Sequence, residues 1–91
     1  PYDVEITDTR ILFNKTLASA SYAVAPLAST ILYGQSILFK DLKGDADVNN
    51  ITITFTDGEL CDGLATMTIN NPYGWFAITP VPGGGAWYQN Q

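Results

Sequence analysis

The residues able to do chemistry in this chain are few, and their types rule out several reactions at once. Nine Asp and Glu stand against four Lys and Arg, with one cysteine and no histidine. Without histidine, neither a Ser-His-Asp nor a Cys-His arrangement can form, and histidine-ligated metal sites are excluded as well. Cys61 has no basic neighbour to lower its thiol pKa and no partner for an internal disulfide. It reads as a small core residue.

Six of the nine acidic residues fall into two stretches. Between Asp41 and Asn50, the residues Asp45, Asp47 and Asn49 alternate as the oxygen ligands of a calcium loop do. The sixth position of that pattern is Asn50 in place of glycine, and the twelfth is Thr56 in place of a bidentate glutamate. The stretch therefore reads as a solvated hairpin loop. Asp57, Glu59 and Asp62 offer carboxylates of the kind that cleave glycosides in pairs. They sit in Asp-Gly turn contexts, where a carboxylate that closes the turn is the simpler explanation. The expectation is no catalytic residue, no cofactor-binding residue and no metal ligand, and hence a protein that is not an enzyme.

The aromatic residues Tyr73, Trp75, Phe76, Trp87 and Tyr88 crowd the last third of the chain. Three readings fit them: core, subunit interface, or a platform on which a sugar stacks, since their flat rings bury area and their polar tips bond outward. Tyr73, Trp75, Trp87 and Tyr88 are the candidate interface or ligand-stacking residues.

The elements that position these groups follow a period of two. Ile51, Ile53 and Phe55 alternate with Thr52, Thr54 and Thr56, and Met67 and Ile69 alternate with Thr66 and Thr68. Trp75 to Thr79 is a β-prone run ended by Pro80, and Ser36 to Lys40 has the apolar density of a strand buried on both faces. Val4 to Ile6, Arg10 to Phe13, Ser21 to Ala25 and the residues around Trp87 and Tyr88 are weaker strand candidates. Turn clusters separate the runs: Lys43-Gly44-Asp45, Asn49-Asn50, Asp57-Gly58, Asp62-Gly63, Asn70-Asn71-Pro72 and Pro82 to Gly85. Asp57-Gly58 carries a tight hairpin signal. No segment shows the three-and-four spacing of a long helix. About seven or eight short strands predict one all-β domain over residues 1–91, a small antiparallel β-sandwich or barrel.

Composition bounds the partners. The 91 residues are 46% hydrophobic and 14% charged, against roughly a quarter to a third charged on an ordinary soluble surface. Either Ser, Thr, Asn and Gly cover the surface, or part of it is buried against another copy of the chain, and the small core favours the second. A net charge of −5 with no basic run predicts no nucleic-acid partner. No apolar stretch reaches the roughly 20 residues of a membrane-spanning helix, so no membrane insertion is expected. The chain starts at Pro1, which suggests a fragment or processed part of a longer protein.

From Thr16 to Trp87 these features fall in a recognisable order. An alternating segment ends at Pro26, and Gly34-Gln35-Ser36-Ile37-Leu38-Phe39-Lys40-Asp41 leads into a Gly-containing loop. Next come Asn49-Asn50-Ile51-Thr52-Ile53-Thr54, Asp62-Gly63, Thr66-Met67-Thr68-Ile69, Tyr73-Gly74, and Gly84-Gly85-Ala86-Trp87. In this order the chain resembles the small β-rich domains of tail, tail-fibre and related structural proteins of tailed bacteriophages. Leu60-Cys61 stand where that pattern usually has aliphatic residues. The matching positions are turn and core positions and carry no catalytic or binding residue. The resemblance implies a virion location, in tail, fibre or capsid exterior, with other virion proteins as neighbours. It also implies self-association, with a trimer as the favoured number by analogy with fibres. The alternative function it implies is recognition of a host-surface glycan or protein at a fibre tip.

Overall fold

The computed structural model describes residues 2–4, 10–14, 19–31 and 35–90. Its strands are β1 (Tyr2–Asp3), β2 (Arg10–Phe13), β3 (Ser21–Val24), β4 (Ile37–Asp41), β5 (Ile51–Thr54), β6 (Thr66–Ile69), β7 (Trp75–Pro80) and β8 (Trp87–Asn90). A single 3₁₀ turn at Ala28–Thr30 is the only helical element among the described residues. The protein is all-β, with one four-stranded sheet ordered β1-β3-β5-β6 and another ordered β2-β4-β7-β8. The two pack as a small sandwich.

The expected alternation is what fills the space between the sheets. Ile51 and Ile53 on β5 face inward opposite Ile69 and Met67 on β6, while Thr52 and Thr54 face outward opposite Thr68 and Thr66. In the second sheet Ile37, Phe39, Phe76 and Ile78 point inward, and the Phe39 and Phe76 rings lie 5.4 Å apart. Apolar area removed from water in this way is the main stabilising contribution. Leu38 and Lys40, which share β4 with Ile37 and Phe39, are half-buried on the outer face, so that strand is fully buried on one face only.

The pairing corrects the expectation of an antiparallel sandwich. β1 with β3, β3 with β5, and β2 with β4 are parallel; β4 with β7, β5 with β6, and β7 with β8 are antiparallel. The cause is the path of the chain. From β1 to β5 each connection crosses to the opposite sheet, so a strand and its second successor return to one sheet in the same direction. Parallel strands need a crossover, and here the opposite sheet supplies it in place of a helix. The loop from Asp41 to Asn50 is one of these crossings, joining β4 to β5, and is not the expected hairpin.

Asp57-Gly58 forms a tight turn, with the Glu59 N–H donating to the Thr56 carbonyl at 3.1 Å, within the longer connection that joins the antiparallel pair β5 and β6, and is not itself a two-residue hairpin. The two-residue hairpin lies at Asp62-Gly63, whose φ values of 50° and 81° suit a mirror-image turn, between Cys61 and Leu64 bonded in both directions at 2.9 Å. Pro80 lies within β7, past the end of its ladder with β4 at Ile78, where a missing N–H breaks no bond to that neighbour. The first strand is Tyr2–Asp3, with Val4 just after it; Glu5, Ile6, Lys15, Thr16, Tyr33 and Gly34 lie outside the described residues.

Candidate functional site

The candidate residues part according to which face of β7 or β8 carries them. Trp87, at the start of β8, points inward and is 1% exposed, with its ring 6.4 Å from that of Phe55. Its indole Nε1–H donates to Glu59 Oε1 at 3.1 Å, and the same oxygen accepts the Ala28 N–H at 2.9 Å. Trp87 is thus a core residue with its one polar atom satisfied, and it is removed from the stacking set.

Trp75 and Tyr88 occupy the outer face of the β2-β4-β7-β8 sheet and are 55% and 41% exposed. Cross-strand register builds that face in rows: Leu12 beside Lys40 beside Trp75, Arg10 beside Leu38 beside Ala77, and Thr79 beside Tyr88. Lys40 and Trp75 are directly opposite, in the closer kind of antiparallel pair, because the Asp41 N–H bond to the Gly74 carbonyl marks the adjacent pair as the hydrogen-bonded one. The lysine stem can therefore lie along the indole while its Nζ donates to the Tyr73 carbonyl at 2.8 Å. Leu12 is exposed as well, and no acidic side chain belongs to this face among the described residues. It combines an aromatic-aliphatic surface with two cations, Arg10 and Lys40. Neither Leu12 nor Arg10 stood out in the sequence, since each gains its neighbours only through the parallel pairing of β2 with β4.

Tyr73 belongs to a different assembly. It precedes β7 in the turn Asn71 to Gly74, has a φ of 59°, and its ring lies against Gly44 of the crossing loop. A Cβ on Gly44, whose φ is 91°, would collide with that ring, so glycine is required there twice over. The loop is organised by Asp41, which is 1% exposed. Its Oδ1 accepts the Gly44 N–H at 3.0 Å, and its Oδ2 accepts the Ala46 and Tyr73 N–H groups at 3.0 and 3.1 Å. Burial raises the carboxyl pKa, but the backbone donors of Gly44, Ala46, Tyr73 and Lys43 outweigh it and hold the value below the ordinary one. Asp45 accepts the Asn49 side-chain N–H at 2.9 Å and pairs with Lys43 at 3.5 Å. Asp41, Asp45 and Asn49 thus brace the loop from within, while Asp47 is exposed.

The second acidic stretch runs along the outer edge of β8. The Trp87 N–H donates to the Leu60 carbonyl at 2.9 Å, the Asp62 N–H to the Trp87 carbonyl at 3.1 Å, and the Gln89 N–H to Asp62 Oδ2 at 3.0 Å. Glu59 and Asp62 therefore hold backbone and indole donors, while Asp57 is exposed at the turn. Cys61 is fully buried beside them, and burial, with the Asp62 charge second, pushes its thiol up to about 11. Among the described residues no three His, Cys, Asp or Glu side chains gather as a metal centre would need. None of the described helices is long and apolar enough to cross a membrane. Comparison with family models, curated proteins and solved structures gives no match.

Proposed function

We propose that the chain is a non-enzymatic structural module that assembles with copies of itself in a bacteriophage virion, as part of a tail, fibre or capsid-exterior projection. The observation that carries the self-association is the outer face of the β2-β4-β7-β8 sheet, where Leu12 on β2, Trp75 on β7 and Tyr88 on β8 stand exposed, with the Lys40 stem between Leu12 and Trp75. Solitary exposed apolar residues are ordinary; three on one face of one sheet are what favours an interaction surface there. The overall scarcity of charge, 14% of residues, supports the same reading. The phage attribution draws on the order of turn and core motifs in the sequence, and three copies is the number that likeness suggests. Sedimentation equilibrium of the wild type and of Trp75→Ser tests the proposal. The wild type forms a discrete oligomer and the variant dissociates with its fold intact; equal masses for the two would refute the role of this face.

A second reading is favoured by the exposure of Trp75 directly beside Lys40, an aromatic ring and a cation on which a host glycan would stack. The two readings separate in the assembled state. Acrylamide that still quenches Trp75 fluorescence there leaves the ring open to a sugar, whereas protection of Trp75 assigns it to the subunit contact.

A further inference from the structure

We infer that Asp57 is the residue at which this chain converts spontaneously to isoaspartate, and that the fold shields the second Asp-Gly pair, Asp62-Gly63, from the same reaction. The inference concerns the covalent chain and is independent of the self-association proposed above.

In this reaction the backbone nitrogen of the residue after an aspartate attacks the aspartate Cγ. The N–Cγ bond forms, a Cγ–O bond breaks, and the amide proton leaves with the carboxyl hydroxyl as water. Water then opens the cyclic imide at one of its two carbonyls. Opening at Cγ restores aspartate, whereas opening at the backbone carbonyl leaves the chain running through the side chain, with a free α-carboxylate. Only water is released and taken up. Glycine has no side chain to hinder the approach of its nitrogen, so Asp57-Gly58 and Asp62-Gly63 both qualify by sequence.

Their surroundings separate them. Both pairs form left-handed turns, with φ values of 54° and 74° at the first and 50° and 81° at the second. Both aspartates are exposed, and a Cβ built on either glycine would meet nothing within 4 Å. The Asp62 turn, however, is tied down on every side. Cys61 and Leu64 are bonded in both directions at 2.9 Å, the Asp62 N–H donates to the Trp87 carbonyl at 3.1 Å, and the Asp62 carboxylate accepts the Gln89 N–H at 3.0 Å. The Asp57 turn is closed by the bond from the Glu59 N–H to the Thr56 carbonyl at 3.1 Å, and among the described residues the Asp57 carboxylate accepts no hydrogen bond.

Attack requires the carboxyl carbon to swing over the next nitrogen, so the rate follows the local opening of the turn and the freedom of the carboxylate. The additional bonds at Asp62, one of them to a charged acceptor, hold its conversion at least about tenfold below that of Asp57. Conversion also has a structural cost. The extra backbone atom enters two residues before Glu59, whose Oε1 accepts both the Trp87 indole N–H and the Ala28 N–H. Displacing that bridge lowers the melting temperature of the converted protein.

The test keeps the folded protein at physiological temperature and neutral pH beside a sample held unfolded in guanidinium chloride. At intervals each is methylated with an isoaspartyl methyltransferase and an isotope-labelled methyl donor, and cleavage after Glu59 places the two sites on separate peptides for mass spectrometry. Each folded rate is read relative to the same site's rate in the unfolded sample. On that scale Asp57 is expected to convert at least about tenfold faster than Asp62. Equal relative rates, or faster conversion at Asp62, would overturn the shielding. A folded protein that gains no label at Asp57 would overturn the assignment of the site, whatever the unfolded sample shows.

Discussion

Single residues in this protein hold loops in place. Asp41 accepts the Gly44, Ala46 and Tyr73 N–H groups from two segments, and removing a charged acceptor leaves those donors without this partner. Asp41→Ala is expected to lower stability by about 3 kcal/mol in urea denaturation. Because folding lowers the Asp41 pKa, its stabilisation is fully present above the unfolded value of 3.8 and is lost as pH falls through the lower folded value. The stability gap between the wild type and Asp41→Asn therefore narrows on acidification below that range, which pH-dependent urea melts would measure. Gly44→Ala adds a left-handed strain and a clash with the Tyr73 ring, at a combined cost of about 2 kcal/mol. In a Tyr73→Ala background the clash disappears and the substitution costs less, a coupling that a double-mutant cycle reads directly. Cys61, buried and with its pKa raised to about 11, reacts with a disulfide reagent at pH 8 only as fast as the protein opens. Rapid labelling of the native protein would contradict its placement in the core.

At the scale of elements, β7 and β8 each turn one large aromatic residue inward and another outward. Phe76 and Trp87 fill the core; Trp75 and Tyr88 face out. Trp87→Ala is expected to cost about 4 kcal/mol of stability, whereas Trp75→Ala leaves the melting of the isolated chain nearly unchanged and weakens assembly. Differential scanning calorimetry combined with sedimentation separates the two effects. The strands themselves were legible because alternation at Ile51 to Thr54 and Thr66 to Ile69 is a property of local sequence. Which aromatic residue faces out was less legible, since Trp75 and Phe76 are adjacent and both favour strands. The choice is made by register: Phe76 lies opposite Phe39 in the core, while Trp75 lies opposite Lys40. The same physics hid the parallel pairs. An alternating strand looks identical whichever way its neighbour runs, and only the sheet-crossing path of the first five strands sets the direction.

At the scale of the whole molecule, Arg10, Lys40, Trp75 and Tyr88 share the outer face of one sheet while Tyr2 and Tyr22 stand exposed on the other, and the loops are held by carboxylates bonded to backbone. Of the four aromatic residues singled out from sequence, Trp75 and Tyr88 share that outer face, Trp87 is core and Tyr73 braces the Asp41 loop. Arg10 and Leu12 joined the face unannounced, because nothing in a four-residue strand at one border tells which distant side chains its pairing will gather. The central question for the molecule is whether this face is covered by another copy. The measurement that decides it is the solution mass by light scattering over a wide concentration range. A stable mass of three chains, falling toward one chain in Trp75→Ser, is the predicted result. A single-chain mass for the wild type at the highest concentration would contradict it.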